Sequence, residues 1–114
     1  MNDNVIINKT MDFAVRVVNL CRYLSEEKRE FMISNQLLRS GTSIGANVRE
    51  GVYAQSKNDF ISKMSIALKE TSETEYWLEL LMRTKYLNDE QYTSIKIDCG
   101  EVAKLLTAIV KSSK

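Results

Sequence analysis

Apolar residues recur along this chain at alternating spacings of four and three, in four separate runs. The first run is Phe13, Val17, Leu20 and Leu24, widened by Ala14, Val18 and Cys21. That period gathers side chains on one stripe of a helix, here over residues 8–26. A second run follows through Leu37, Gly41, Ile44, Val48 and Gly51. The third is Phe60, Met64, Ala67, Thr71, Thr74, Leu78 and Leu81, with Ile61, Leu68 and Met82 beside it. The fourth is Tyr92, Ile95, Cys99, Val102, Leu106 and Ile109. No stretch alternates at a period of two, so no strand is predicted. Four helices of roughly 18 to 30 residues with short connections predict an all-α fold, an up-and-down antiparallel four-helix bundle. Residues 1–114 fit a single domain of this kind.

Helix starts are marked with different clarity. Ser34 reads as the N-cap of the second helix, with Ile33 and Leu38 placed as a hydrophobic staple. Ser56 and Asp59 have the spacing of a capping box for the third, and Asn88 with Gln91 that of a box for the fourth. Leu87 and Tyr92 can staple that last start. On the third helix Asp59–Lys63, Lys69–Glu73 and Glu79–Arg83 stand at i,i+4, the spacing of surface ion pairs.

Three of the four glycines fall in the second helix, at positions 41, 45 and 51. Each costs about 1 kcal/mol relative to alanine in a helix interior. Close approach of another helix is the expected return; a break or kink at one of them is the alternative.

Charge narrows the function classes. The chain holds 16 Lys+Arg against 15 Asp+Glu, and no quarter of it gathers a basic block. Non-specific nucleic-acid binding needs cations collected on one face, and composition does not supply them. Cys21 and Cys99 sit within apolar patterns without a CxxC spacing, so two free core thiols are expected. No apolar run approaches the ~20 residues of a membrane span, and the start lacks a signal-peptide pattern. The expected location is cytoplasmic, with no membrane partner.

The chain contains no histidine, which removes the commonest general base and metal ligand. There is no phosphate loop and no metal-ligand spacing. Carboxylate-only catalysis would have to draw on Glu50, Glu73 and Glu75, converging in a pocket. The expectation is a protein that is not an enzyme, with no cofactor, metal or small-molecule substrate. Polar residues do show a pattern. Arg39, Ser43, Asn47 and Glu50 form one stripe beside the apolar seam of the second helix. Glu75 lies at the edge of the third seam, where Arg39 and Asn47 are candidate partners. Together with Glu73 these residues predict a polar layer that fixes register within the bundle or between subunits. Tyr53, Tyr76, Trp77 and Tyr86 lie off the seams, as interface aromatics do.

The stretch 34–79 resembles a known family. Its marks are Q-L-x-R at 36–39, S-I-x-A-N at 43–47, E-G at 50–51, S-K-x-x-F at 56–60, I-A-L at 66–68 and E-x-E at 73–75. These are similar to the four-helix bundle proteins of the 23S rRNA intervening-sequence type, over nearly the whole chain. Many of those proteins have proline where this chain has Gly45. The resemblance implies a homopentamer around a central channel. It also implies kinship with the basic, barrel-like accessory protein of diversity-generating retroelements, which works with a reverse transcriptase and nucleic acid. Asn47, Glu50, Gly51, Ser56, Phe60, Glu73 and Glu75 carry over as determinants of fold and assembly.

The leading expectation is therefore a self-assembling helical scaffold, with RNA or an RNA-handling protein as its partner. The alternative is a direct RNA or DNA binder, in which assembly multiplies a weak patch made of Arg39, Arg49, Lys57 and Lys63.

Overall fold

A computed structural model describes residues 3–114. Its helices are α1 (Asp3–Glu26), α2 (Met32–Val52), α3 (Lys57–Arg83) and α4 (Asp89–Ser113), with no strand among the described residues. Each packs against its neighbour in the order α1, α2, α3, α4 and back to α1, and no diagonal pair touches. The result is the expected four-helix bundle, with principal extents of 44 × 20 × 19 Å.

The seams read from the sequence are the core, except on α1, where Leu20 is half-buried and Val18, read as widening the stripe, is exposed instead. Phe13, Val17, Leu24, Leu37, Ile44, Val48, Met64, Leu78, Leu81, Cys99, Val102 and Leu106 are all buried. α1 begins earlier than its pattern suggests, because Ile6 and Thr10 extend the stripe and are buried too. Thr10 joins an apolar stripe because its hydroxyl donates to the Ile6 carbonyl one turn back, at 2.8 Å.

The start of α2 corrects the cap assignment. Ser34 lies inside the helix and is buried. The capping group is Glu30, whose carboxylate accepts the Ile33 and Ser34 N–H groups at 3.1 and 2.8 Å. A longer side chain placed earlier does what a serine cap would have done, and Ser34 returns its hydroxyl to the Glu30 carbonyl at 3.0 Å. The staple also fails, since Leu38 is 37% exposed. The other two starts form as read. Ser56 accepts the Asp59 N–H at 3.1 Å. Asn88 and Gln91 exchange both bonds of a capping box, at 2.8 and 2.9 Å.

α2 runs unbroken through its glycines, so none of them breaks the helix, and close approach is what they provide. A Cβ at Gly41 would stand 2.8 Å from both methyls of Val17 on α1. One at Gly45 would meet Thr10 at 3.4 Å, and one at Gly51 would meet Lys63 and Met64 of α3 at 3.1 and 3.2 Å. Two glycines thus seat α2 on α1, and the third seats it on α3.

Candidate polar site on the α2–α3 face

The α2–α3 seam hides polar atoms in its centre. Ser40, Thr71 and Thr74 are fully buried. Thr74 Oγ1 lies 2.8 Å from the Glu70 carbonyl oxygen and 2.9 Å from Ser40 Oγ. One hydroxyl hydrogen goes back to the helix and the other closes the bond between the two hydroxyls. Thr71 donates to the Ala67 carbonyl at 2.8 Å. A buried hydroxyl left unpaired would be costly, so this pair fixes how α2 and α3 sit along each other. Thr71 and Thr74 stood out in the sequence as interruptions of the seam. Ser40 did not, because a serine on a glycine-containing helix carries no signal of burial.

Above this layer, nearer solvent, lies an ionic cluster. The Arg39 guanidinium binds the Glu73 carboxylate and stands 3.6 Å from Glu70 Oε2. Glu73 Oε2 also accepts the indole N–H of Trp77 at 3.1 Å. One cation therefore faces two carboxylates, and Glu70 Oε2 is buried with no hydrogen-bond donor. Trp77 in turn holds Tyr76 edge-on, with ring centroids 5.0 Å apart.

The structure brings some of the expected layer together and disperses the rest. Arg39 and Glu73 meet. Ser43 turns its hydroxyl to the Arg39 carbonyl at 2.7 Å, and Asn47 turns its amide to the Ser43 carbonyl at 2.9 Å. Glu50 pairs with Lys63 at 3.2 Å. That contact takes Lys63 from Asp59, as Arg39 takes Glu73 from Lys69; of the three i,i+4 pairs only Glu79–Arg83 forms, at 2.9 Å. Glu75 is corrected outright. It points away from α2 into the α3–α4 groove, beside Ser72 and Ala103, so neither Arg39 nor Asn47 can be its partner. The residue that does approach Arg39 from that helix is Glu70, three positions before Glu73 on the same side, a spacing the sequence offered.

The four cations of the nucleic-acid alternative sit in different settings. Arg39 and Lys63 are held by carboxylates on the α2–α3 face. Arg49 lines the groove between α1 and α2, and Lys57 opens α3. Gly41, Gly45 and Gly51 serve contacts within the chain, and Phe60 is half-buried against the core. Cys21 and Cys99 are free and buried. Burial first, and the nearby Glu30 carboxylate second, push the Cys21 thiol up to about 11. Burial and then Glu75 push Cys99 up to about 12. Both thiols stay protonated and unreactive near neutral pH.

A family model for the 23S rRNA-intervening sequence protein matches residues 2–108. The chain belongs to that family. A crystal structure of a protein of unknown function from the S23 ribosomal protein family, from Bacteroides thetaiotaomicron, is similar at 59% identity. The match covers 97% of this chain and 99% of that one, with a TM-score of 0.95. Comparison with curated proteins finds no match. For this member of the 23S rRNA-intervening sequence family, no helix among the described residues is long and apolar enough to cross a membrane.

Proposed function

We propose that this protein is a non-enzymatic scaffold that works by assembling copies of itself. The observation that carries the reading is an apolar strip on the outside of the bundle. Met11, Val15 and Val18 of α1 are 46%, 51% and 36% exposed, and Leu38 of α2 is 37% exposed. Met11 also lines a groove of about 270 Å³ between the two helices, together with Ala14, Gly45 and Ala46. Together the four side chains leave on the order of 300 Å² of apolar surface exposed, about the size of the largest patch on a typical monomer, which is often functional. The polar residues of the α2–α3 face, by contrast, are occupied with one another, which supports a structural rather than a chemical role for them. The family resemblance supports a homopentamer as the form of the assembly.

Light scattering coupled to size exclusion tests the reading. Self-assembly requires a mass that is a multiple of 13.1 kDa and holds on dilution. A mass of one chain at all concentrations rejects it. Titration of the same sample with RNA at two salt concentrations addresses the nucleic-acid alternative. A direct binder loses affinity steeply as salt rises; absent or salt-insensitive binding rejects that alternative.

A further inference from the structure

The apolar strip on α1 and the groove between α3 and α4 lie on opposite sides of the bundle, and they match. The groove has a volume of about 390 Å³ and is lined by Ser65, Leu68, Lys69, Ser72, Glu75 and Ala103. Leu68 gives it an apolar floor, and the serines and alanine keep its walls low. Gly100 stands one turn before Ala103 on the same side of α4, and a Cβ built there would meet nothing within 4 Å. Unlike the glycines of α2, Gly100 has no neighbour in its own chain that requires it. A glycine in mid-helix with open space above it suits a surface onto which another helix descends.

The two faces also match in height. α1 and α3 run in the same direction, so their last residues, Glu26 and Arg83, lie at the same end of the bundle. At about 1.5 Å per residue, Val15 and Met11 lie roughly 16 and 22 Å from the end of α1. Ser72 and Leu68 lie the same roughly 16 and 22 Å from the end of α3. The ridge on one side is level with the hollow on the other.

Charge completes the match. Glu75 lines the groove with Lys69, and an adjoining hollow with Lys96, but makes no ion pair or hydrogen bond with either or with any other described residue. Arg22 continues the α1 strip after Val18 and makes no ion pair there either; its guanidinium reaches only the Asn19 side chain, at 3.5 Å. It stands about one helical turn nearer the shared end than Glu75, a span that an arginine side chain covers. Pairing the α1–α2 face with its own copy across a two-fold axis would instead bring Arg22 toward Arg49.

We infer that the occupant of the α3–α4 groove is the α1 ridge of a second copy of this chain, lying parallel to it, with Arg22 of one copy against Glu75 of the next. This rests on the self-assembly reading and adds which faces meet. Because the two faces differ and lie on opposite sides, the contact is head-to-tail, and it propagates until it closes into a ring.

Charge exchange tests the contact. Arg22→Glu and Glu75→Arg are both exposed changes, and circular dichroism should confirm an unchanged fold. Each single variant should raise the dissociation concentration at least about tenfold, since like charges then face each other. The Arg22→Glu/Glu75→Arg double variant should restore assembly. Val15→Asp should abolish it through the ridge alone. If the parent assembles and these three single variants keep its mass, or the double variant stays dissociated, other faces form the assembly and the scaffold reading survives without this contact. If the parent itself stays at 13.1 kDa, self-assembly and the contact fall together.

Discussion

Gly41→Ala tests the packing argument most directly. A methyl at Gly41 would stand 2.8 Å from Val17 Cγ1 and Cγ2 and 3.2 Å from its Cβ. Carbon atoms rest at about 3.5–4.0 Å, so the pair would be about 1 Å too close. Val17 is fully buried and both of its methyls face the site, so rotation about χ1 can turn only one of them away and leaves the other in place. The two helices must therefore separate. Overpacking of this kind costs about 1–3 kcal/mol, and the better helix propensity of alanine returns about 1 kcal/mol. The net expectation is a loss of up to about 2 kcal/mol, read from urea unfolding followed by circular dichroism at one fixed protein concentration. Val17→Ala alone should cost about 2 kcal/mol in lost burial. The double variant should cost less than the two losses added, by about 1–2 kcal/mol, because the smaller residue makes room for the new methyl. Gly45→Ala, facing Thr10 at 3.4 Å, should be much milder. Gly100→Ala, facing open space within its own chain, should gain up to about 1 kcal/mol in the dissociated chain, a gain that the proposed contact with a second copy would offset. A Gly41→Ala variant more stable than the parent, or one that adds to Val17→Ala without coupling, would refute the reasoning.

The other expectations concern the polar groups. Glu73→Ala removes the acceptor of both Arg39 and the Trp77 indole; a loss of about 1–2 kcal/mol is expected. Trp77 is the only tryptophan, so its fluorescence should shift as well, whereas Glu73→Gln should keep the emission of the parent. Asn88→Ala removes the side-chain oxygen that accepts the Gln91 N–H in the α4 capping box, while the backbone N–H of residue 88 can still donate to Gln91; a cost of about 1 kcal/mol is expected in urea midpoint analysis, and no loss would mean that this cap contributes nothing. The thiols set a pH limit. Cys21 and Cys99 rise from an ordinary 9.0 to about 11 and about 12, so above pH 9 the unfolded chain releases protons that the folded chain keeps. Stability is full below about pH 9 and falls as pH rises from there through the folded values. Urea midpoints at pH 7.5 and 10.5 should differ, and Cys99→Ala should shrink the difference; an unchanged midpoint would sink the argument.

Much of the fold was legible because a helical core repeats with a period the sequence displays directly. Every seam residue of α2 is buried, as are those of α3 and α4 apart from the half-buried Phe60 and Tyr92 at their starts. What was not legible depends on side-chain reach. Glu30 caps α2 from outside the pattern because a glutamate spans a distance that a serine cannot. The sequence placed Glu75 at the edge of a seam, but a seam has two edges. Only the packing order decides that Glu70 and Glu73 look toward α2 while Glu75 looks toward α4. Surface ion pairs were misread for a related reason. The i,i+4 rule describes an isolated helix, and here Lys63 and Glu73 find partners on α2 instead.

Three of the four seams of the bundle show how differently they are closed, and this orders how the molecule opens. α2–α3 is held by apolar packing, the buried Ser40–Thr74 hydroxyl pair and the Arg39 cluster. α1–α2 is held by the contact of Gly41 with Val17. α1–α4 is the thinnest seam. Lys9–Glu101 and Arg16–Asp98 bridge it at 3.0 and 2.6 Å, and all four side chains are 41–48% exposed. Exposed pairs contribute only about 0–1 kcal/mol each. A groove of about 550 Å³ opens beside them, lined by Arg16, Leu20, Asn88 and Ile95 among others. The α2–α3 hairpin should therefore keep its amide protons longest, and α4 should exchange first among the helix interiors. Raising the salt concentration screens the two bridges, so exchange in α4 should speed up while that in α2 and α3 changes little. Hydrogen exchange resolved by residue measures this. Protection that is uniform across the four helices, or greatest in α4, would mean that the α1–α4 seam draws its strength from something other than the contacts that span it.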